Sequence, residues 1–352
     1  MVYIGRRITE RKGSPMEAKT YLHILPPEGR KAFSSFLLYM PAGDGYHTLY
    51  QFAYEENPPK PELAFHRGAN DPANRAFYRI CEAYVVKKEG DGFRKLFRAL
   101  QKGEIGFAMR EASSGDAVGG YHGDEILTAA RLVADGRELD LKTPFFGAVE
   151  AFSFYQQSHI FQCNTPSQKL LLHTQEYTVQ GNTLKLSQDI LWLAEGRQMR
   201  ISSPMLTVQR LDPELPNRIL TDTVEFYGPD GGMVAFCDTS PYGTENPVPV
   251  AKADNTISAC QGTHATSARV YGKESGLCAE TGFTVRYSTI PAARREAFLC
   301  IRFMPHTLDN KIYFRTFCDT CPPKGTRWQT EHFYRITYRP IKRKEDDHVF
   351  TV

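Results

Sequence analysis

An all-β fold, a large antiparallel β-sandwich or jelly roll with few short helices, is what this sequence of 352 residues predicts. Three observations carry that expectation. Short runs of alternating or wholly apolar residues recur along the chain, Gly- and Pro-rich turns punctuate them, and helical spacing is almost absent. Stacked antiparallel sheets, whose strands bury one face, are the architecture that uses such a pattern.

From the N-terminal side, Tyr21–Leu25, Phe36–Met40 and Tyr46–Phe52 alternate and are separated by Pro and Gly, so they read as strands joined by turns. Residues 57–74 hold several prolines and little periodicity, which predicts a long loop, and strand character resumes over Phe77–Val86. The spacing of Phe93, Leu96, Phe97 and Leu100 predicts a short helix there. Glu104–Glu111 alternates again, with Ile105, Phe107 and Met109 on one side.

Ile126–Val133 and Glu138–Leu141 flank Ala134-Asp135-Gly136-Arg137 and read as a hairpin. Phe152–Cys163, Gln168–Val179 and Leu184–Leu193 are longer strands, joined at Asn164-Thr165-Pro166-Ser167 and at Gln180-Gly181-Asn182. Further strands are expected at Met205–Arg210, Arg218–Tyr227, Met233–Cys237, His264–Tyr271, Gly282–Ser288, Ala297–Phe303, Lys311–Phe317 and His332–Tyr338, with a Pro-rich loop over Asp238–Asn255. The expectation is a single large sandwich domain over residues 1–352. A subdivision would fall near Pro144, where the turn-rich region gives way to long strands.

Composition narrows the function classes. A net charge of +3 is small for this length, and Lys342-Arg343-Lys344 is offset at once by Glu345, Asp346 and Asp347, so no nucleic-acid partner is expected. Residues 1–20 lack the apolar stretch of a secretory signal, and no apolar run long enough to span a membrane occurs. A cytoplasmic protein without a membrane partner is the expectation, although a trimmed signal would leave the same sequence. The eight cysteines lie mostly inside apolar runs, which favours buried thiols. Cys318-Asp319-Thr320-Cys321 has no second CxxC or histidine pair beside it and reads as a turn.

The residues 116–125, Asp-Ala-Val-Gly-Gly-Tyr-His-Gly-Asp-Glu, are the best candidate site, because Gly119, Gly120 and Gly123 permit a shaped loop that presents His122 and Tyr121. His122 and Glu125, spaced as H-x-x-E, are candidate ligands of a divalent metal, zinc or calcium. On the strand Leu170–Val179, alternation places His173, Gln175 and Tyr177 on one face, where they would line a groove or pack with polar tips exposed. His159, on the preceding strand, is within reach of His173 if the register allows.

Two family resemblances follow from these motifs. Gly119-Gly120-Tyr121-His122-Gly123-Asp124-Glu125 resembles the first metal-ligand motif of zinc carboxypeptidases, which implies His122 and Glu125 as ligands, an α/β fold and hydrolase activity. The strand Ile312-Tyr313-Phe314-Arg315-Thr316, with Arg110-Glu111, loosely resembles all-β polysaccharide lyases. That likeness implies β-elimination on an acidic glycan or oligosaccharide. The reaction needs a neutralised uronic carboxylate, a base for the adjacent carbon and an acid for the leaving oxygen. Arg110 or Gln175 would neutralise, His122 or His173 would act as base, and Tyr177 or Tyr121 as acid. His159, Tyr313 and Arg315 join Gln175 as substrate-binding candidates. A non-catalytic glycan-binding or phage-type structural sandwich is the remaining alternative, since one fold hosts all three.

Overall fold

The computed structural model of the chain defines residues 19–56, 75–101, 105–111, 117–163, 165–196, 198–212, 214–215, 218–240, 256–263, 265–289, 296–304, 307–316 and 320–341. In chain order the strands are β1 Thr20–Ile24, β2 Phe36–Gly43, β3 Tyr46–Glu56, β4 Arg75–Glu89, β5 Gly92–Leu100, β6 Ala108–Glu111 and β7 Ala117–Val118. They continue with β8 Glu125–Ala134, β9 Arg137–Leu139, β10 Phe145–Val149, β11 Phe152–Gln162, β12 Thr165–Gln180, β13 Thr183–Trp192, β14 Gln198–Gln209 and β15 Thr223–Tyr227. The rest are β16 Met233–Asp238, β17 Thr256–Thr263, β18 Ser267–Tyr271, β19 Leu277–Ser288, β20 Glu296–Met304, β21 Thr307–Thr316 and β22 Arg327–Tyr338. Among the described residues the one helical element is a 3-10 turn at Gly120–His122. The protein is an all-β sandwich, as the turn and alternation pattern predicts.

Among the described residues, these 22 strands form one hydrogen-bonded system that resolves into two antiparallel arrays. The first runs β9-β8-β11-β12-β13-β22-β19-β18-β15-β16. The second runs β10-β1-β2-β3-β4-β5-β14-β21-β20-β17, with β6 beside β14 along the same edge as β5, and β7 beyond it. The arrays are joined by a short parallel pairing in which Arg75 of β4 faces Glu125 of β8. Beside it, the buried Gln156 amide accepts the Tyr78 N–H at 3.1 Å and donates to the Tyr78 carbonyl at 2.9 Å, so a β11 side chain completes the β4 backbone ladder. Without that amide, two buried backbone groups would lose partners.

Two apolar cores lie between the arrays. The larger packs Phe36, Phe52 and Tyr78 against Phe154, Tyr177, Leu186 and Tyr334, with the Phe36 and Phe52 rings stacked 4.6 Å apart. The smaller joins Phe107, Met109, Val118 and Ile201 to Ile160, Leu171, Trp192 and Trp328. Full burial of an aromatic side chain is worth about 1.5–3 kcal/mol, so the two cores supply most of the adhesion between the arrays.

The helix predicted from Phe93 to Leu100 is instead strand β5. Its pairing with β4 shifts register between Ala83 and Tyr84 and again between Val85 and Val86. Each bulge skips a residue, so alternation restarts and the buried positions drift toward helical spacing. The loops expected over 57–74 and most of Asp238–Asn255, like Lys342–Lys344, lie outside the described residues, as do Asp116 and Cys318. Cys81 and Cys163 are buried, Cys237 and Cys278 are half-buried, and Cys321 is exposed.

Candidate functional site

Cross-strand register arranges polar residues in a row between the two cores. Gln156 of β11 faces Gln175 of β12, Gln175 faces Gln188 of β13, and Gln188 faces Thr330 of β22. On one side of this row lies Phe154-Tyr177-Leu186-His332, which belongs largely to the larger core. On the other side lies Ser158-His173-Ile190-Trp328, which borders the smaller one. Because successive residues alternate faces, one inward face of four long strands carries a polar seam flanked by largely apolar rows.

A chain of hydrogen bonds crosses the seam. The Glu125 Oε1 atom accepts from Ser158 Oγ at 2.5 Å and from His173 Nδ1 at 2.9 Å, while Oε2 accepts the Gly120 N–H at 2.8 Å. On the far side of the imidazole, Nε2 lies 2.7 Å from the Gln188 amide nitrogen. That amide nitrogen is a donor only, so His173 carries its proton on Nδ1 and a lone pair on Nε2. Gln188 Oε1 accepts from Ser203 Oγ at 3.0 Å and from Thr330 Oγ1 at 3.4 Å, and Thr330 Oγ1 in turn lies 2.6 Å from His332 Nε2. With His332 donating, every bond of the chain points toward Glu125, which is the arrangement that strengthens a hydrogen-bonded series cooperatively.

Burial alone would raise the Glu125 carboxyl pKa, but the adjoining His173 ring, the Ser158 hydroxyl and the Gly120 N–H outweigh it and hold the group below its ordinary value. His332 is pushed down to about 3, first by burial and then by His173. Burial also raises the Tyr177 phenol above its ordinary range, Glu125 adding to the effect. Tyr177 accepts from Gln175 Nε2 at 3.3 Å. His173 is 1% exposed, Tyr177 4% and Gln175 6%, and the Phe107 ring lies 4.8 Å from the imidazole. This face therefore does not form the open groove expected from the strand pattern; the second array covers it.

The glycine-rich stretch forms the predicted tight loop. Gly119, Gly120 and Gly123 all have positive φ, and Gly119 N–H meets the Gly123 carbonyl at 2.7 Å. A Cβ on Gly120 would stand 2.3 Å from the Phe107 carbonyl oxygen, so only glycine fits. Glu125 serves this loop by accepting the Gly120 N–H, and both its oxygens are engaged by protein donors. No group of three or more His, Cys, Asp or Glu among the described residues is arranged to hold a metal ion. In this structure the Glu125 carboxylate of the H-x-x-E pair is turned toward Gly120, Ser158 and His173. The α/β fold implied by the carboxypeptidase motif is replaced by strands on both sides of it.

A different set of predicted residues meets on the face of the second array turned away from the two cores, where Ala108, Ser202 and Lys311 are buried and Arg110, Tyr313 and Arg315 half-buried. On β6, Met109 points into the smaller core, and Arg110 alternates to the other side. Arg110 faces Arg200 of β14, Ala108 faces Ser202, and Ser202 faces Arg315 of β21. On the same face of β21, Tyr313 lies under two cations, Lys311 Nζ at 4.9 Å and the Arg315 guanidinium carbon at 5.7 Å from its ring centroid. Ile201 and Ser203 of β14 point inward, Ser203 reaching Gln188. Arg110, Tyr313 and Arg315 are thus brought together, while His173, Gln175 and Tyr177 lie on the other side of the array.

The remaining candidates fall between these groups. His159 faces Leu172, one position out of step with His173, and is half-buried on the opposite face of β11. His122 is half-buried in the 3-10 turn that follows β7, whose Ala117 faces Arg110. The Tyr121 side chain lies outside the described residues. Sequence reasoning missed Ser158, Gln188, Ser203, Thr330 and His332 in the seam, and Arg200 and Lys311 outside it. Strand alternation marks Gln188 and His332 as inward-facing, but only register shows which strands are neighbours.

No family profile and no curated protein matches the chain. Among solved structures, the galactosidase domain of alpha-galactosidase-sucrose kinase AgaSK aligns at TM-score 0.38 with 10% identity, over 92% of this chain and 41% of that one. The alpha-galactosidase from Lactobacillus brevis aligns at 0.39 with 12% identity, over 90% and 39%. Heparinase III aligns at 0.36 with 9% identity, over 88% and 36%. The chain spans about two fifths of the length of the first two. Likeness at this level assigns no activity, and the class defined by the structure itself is a large all-β sandwich. Among the described residues, no helix is long and apolar enough to cross a membrane.

Proposed function

We propose that this chain is a carbohydrate-active protein that takes an acidic glycan on the outward face of β6, β14 and β21. The observation that carries the reading is the meeting of Arg110 and Arg315 on one face, with the Tyr313 ring beside them. Guanidinium groups pair with carboxylates bidentately, and a tyrosine ring offers an apolar face to a sugar ring.

The finer reading is β-elimination next to a uronic carboxylate. Arg110 and Arg315 would neutralise that carboxylate, which acidifies the adjacent carbon. Proton transfer then belongs to His122 as base and Tyr121 as acid, because their turn continues directly from the strand that pairs with Arg110. His173 and Tyr177, enclosed in the seam, hold the scaffold in this reading. Incubation with a panel of uronic-acid glycans, followed at about 230 nm for the new conjugated double bond, tests it. Turnover lost in His122→Ala supports the lyase. Retention of acidic glycans without any absorbance change leaves the binding module and ends the lyase reading. No retention of any acidic glycan ends both.

A further inference from the structure

One end of β15, β18, β19 and β22 carries a cavity of about 730 Å³. Its lining comes mainly from three stretches that lie apart in sequence: the segment before β15, the turn between β18 and β19, and the residues that end β22. Hydrogen bonds tie these stretches together. Ser275 Oγ donates to the Leu220 carbonyl at 2.5 Å and accepts the Leu277 N–H at 3.0 Å, and the Arg339 N–H reaches the Gly276 carbonyl at 3.0 Å. The Asp222 carboxylate accepts the Thr223 hydroxyl at 2.6 Å and the Lys273 N–H at 3.3 Å. The fold therefore forms the cavity before any ligand arrives, and the volume falls within the range of small-molecule sites, about 300–1,000 Å³.

The lining is of two kinds. Leu215, Ile219 and Ile341 are 57%, 40% and 51% exposed, and they converge here from separate segments although large aliphatic side chains gain by leaving water. An apolar patch rimmed by polar groups marks a binding surface. The polar groups carry both signs. Arg218 and Lys273 stand against Asp222 and Glu274, and each cation has a further acid 3.5 Å away, Asp212 for Arg218 and Asp238 for Lys273. An anionic ligand meets these carboxylates and a cationic one meets Arg218 and Lys273, whereas a neutral head that both donates and accepts hydrogen bonds gains from each. Tyr338, the one aromatic among the described lining residues, is 6% exposed and packs edge-on with Tyr46 and Phe97, so it offers no open ring face to a sugar. We propose that this cavity binds a neutral amphiphile, its aliphatic chain along Leu215, Ile219 and Ile341 and its hydroxylated head among Arg218, Lys273 and Asp222. None of these residues lies on β6, β14 or β21, and the assignment does not depend on the acidic-glycan reading.

Titration calorimetry of the intact chain tests the assignment. The probes are octyl glucoside below its micellar concentration, glucose, octanoate, octylammonium and a blocked aliphatic tripeptide. Ile219→Ser and Ile341→Ser remove parts of the apolar wall, Lys273→Gln removes one cation, and Phe146→Ser, at an exposed ring on β10 outside the cavity, is the control. Octyl glucoside is expected to saturate a single site and to bind at least about tenfold more tightly than glucose, octanoate or octylammonium. Each isoleucine variant is expected to lose about tenfold in that affinity, and Phe146→Ser to keep it. Lys273→Gln is expected to raise the affinity for octylammonium, because carboxylates are then in excess. Unchanged affinity in both folded isoleucine variants, or an equal loss in the control, overturns the site. Tighter binding of octanoate or octylammonium by the native protein, or an octylammonium affinity indifferent to Lys273→Gln, overturns the charge-balanced head site. Binding of the tripeptide without the glycoside overturns the ligand class, and absence of binding by every probe overturns the proposal as a whole.

Discussion

The Nε2 atom of His173 and the side-chain nitrogen of Gln188 lie 2.7 Å apart, both buried. An amide nitrogen cannot accept, so the imidazole must, and the Glu125 carboxylate on its other side fixes the proton at Nδ1. Nitrogen-detected NMR of the native protein near neutral pH is expected to show the Nδ1–H tautomer at His173. In Gln188→Glu a carboxylate replaces the donor, and both ring nitrogens are expected to be protonated. A native spectrum with the proton on Nε2 would contradict this geometry.

Glu125 is a buried carboxylate with three protein donors, and Glu125→Gln leaves His173 beside an amide. Replacing a charged acceptor of this kind costs about 1.5–3 kcal/mol, to be read from urea unfolding midpoints. The pH dependence has a definite sign. Since the folded protein holds Glu125 below its ordinary value of 4.5, the unfolded chain binds more protons as pH falls. The stabilisation is present above the unfolded value and is lost as pH drops through the folded one. His332, held near 3 against an ordinary 6.5, adds a loss of the same sign that begins at milder acidity. Stability that stayed flat from pH 7 to pH 4 would contradict the His332 assignment, and stability that stayed flat as pH fell below 4.5 would contradict that of Glu125.

Gly120 and Gly181 make a controlled pair, since both have positive φ. A Cβ on Gly120 would meet the Phe107 carbonyl oxygen at 2.3 Å, while nothing lies within 4 Å of one on Gly181. Gly181→Ala is expected to cost about 1 kcal/mol, the conformational penalty alone. Gly120→Ala is expected to cost clearly more, because backbone must move. Equal thermal shifts for the two variants would show that the loop is not packed against Phe107.

Phe107 covers the His173 ring and belongs to the smaller core. Phe107→Ala is expected to lower stability by about 3–5 kcal/mol. It also opens the seam, so hydrogen exchange at the His173 and Gln188 backbone amides should accelerate beyond what the fall in global stability explains. Unchanged exchange at those amides relative to a destabilised control such as Phe36→Ala would show that Phe107 is not the cover.

Much of the sandwich is legible in the sequence because turns such as Asp135-Gly136 and Gly181-Asn182 announce themselves chemically, and the strands between them alternate. β5 is not, since its bulged pairing with β4 blurs the period that sequence reading relies on. The candidate site was half legible for a similar reason. His173, Gln175 and Tyr177 follow from alternation within one strand, as do Tyr313 and Arg315. Whether their face is covered, and which residues of other strands stand beside them, depends on pairings between distant segments. Arg200 becomes notable only when β6 is found beside β14, and Thr330 only when β22 is found beside β13.

That last pairing has a consequence for how the chain is made. Strand β22, Arg327–Tyr338, is the bridge between β13 and β19 in the first array. A nascent chain emerging from the ribosome cannot close that array until residue 338 is out, and meanwhile both neighbouring strands present bare backbone edges. Strand addition by another copy is the corresponding hazard. The three glutamines and the histidine that the finished protein hides in its seam face a polar solvent during that wait, and they keep the half-built sheet less adhesive than an all-apolar face would be.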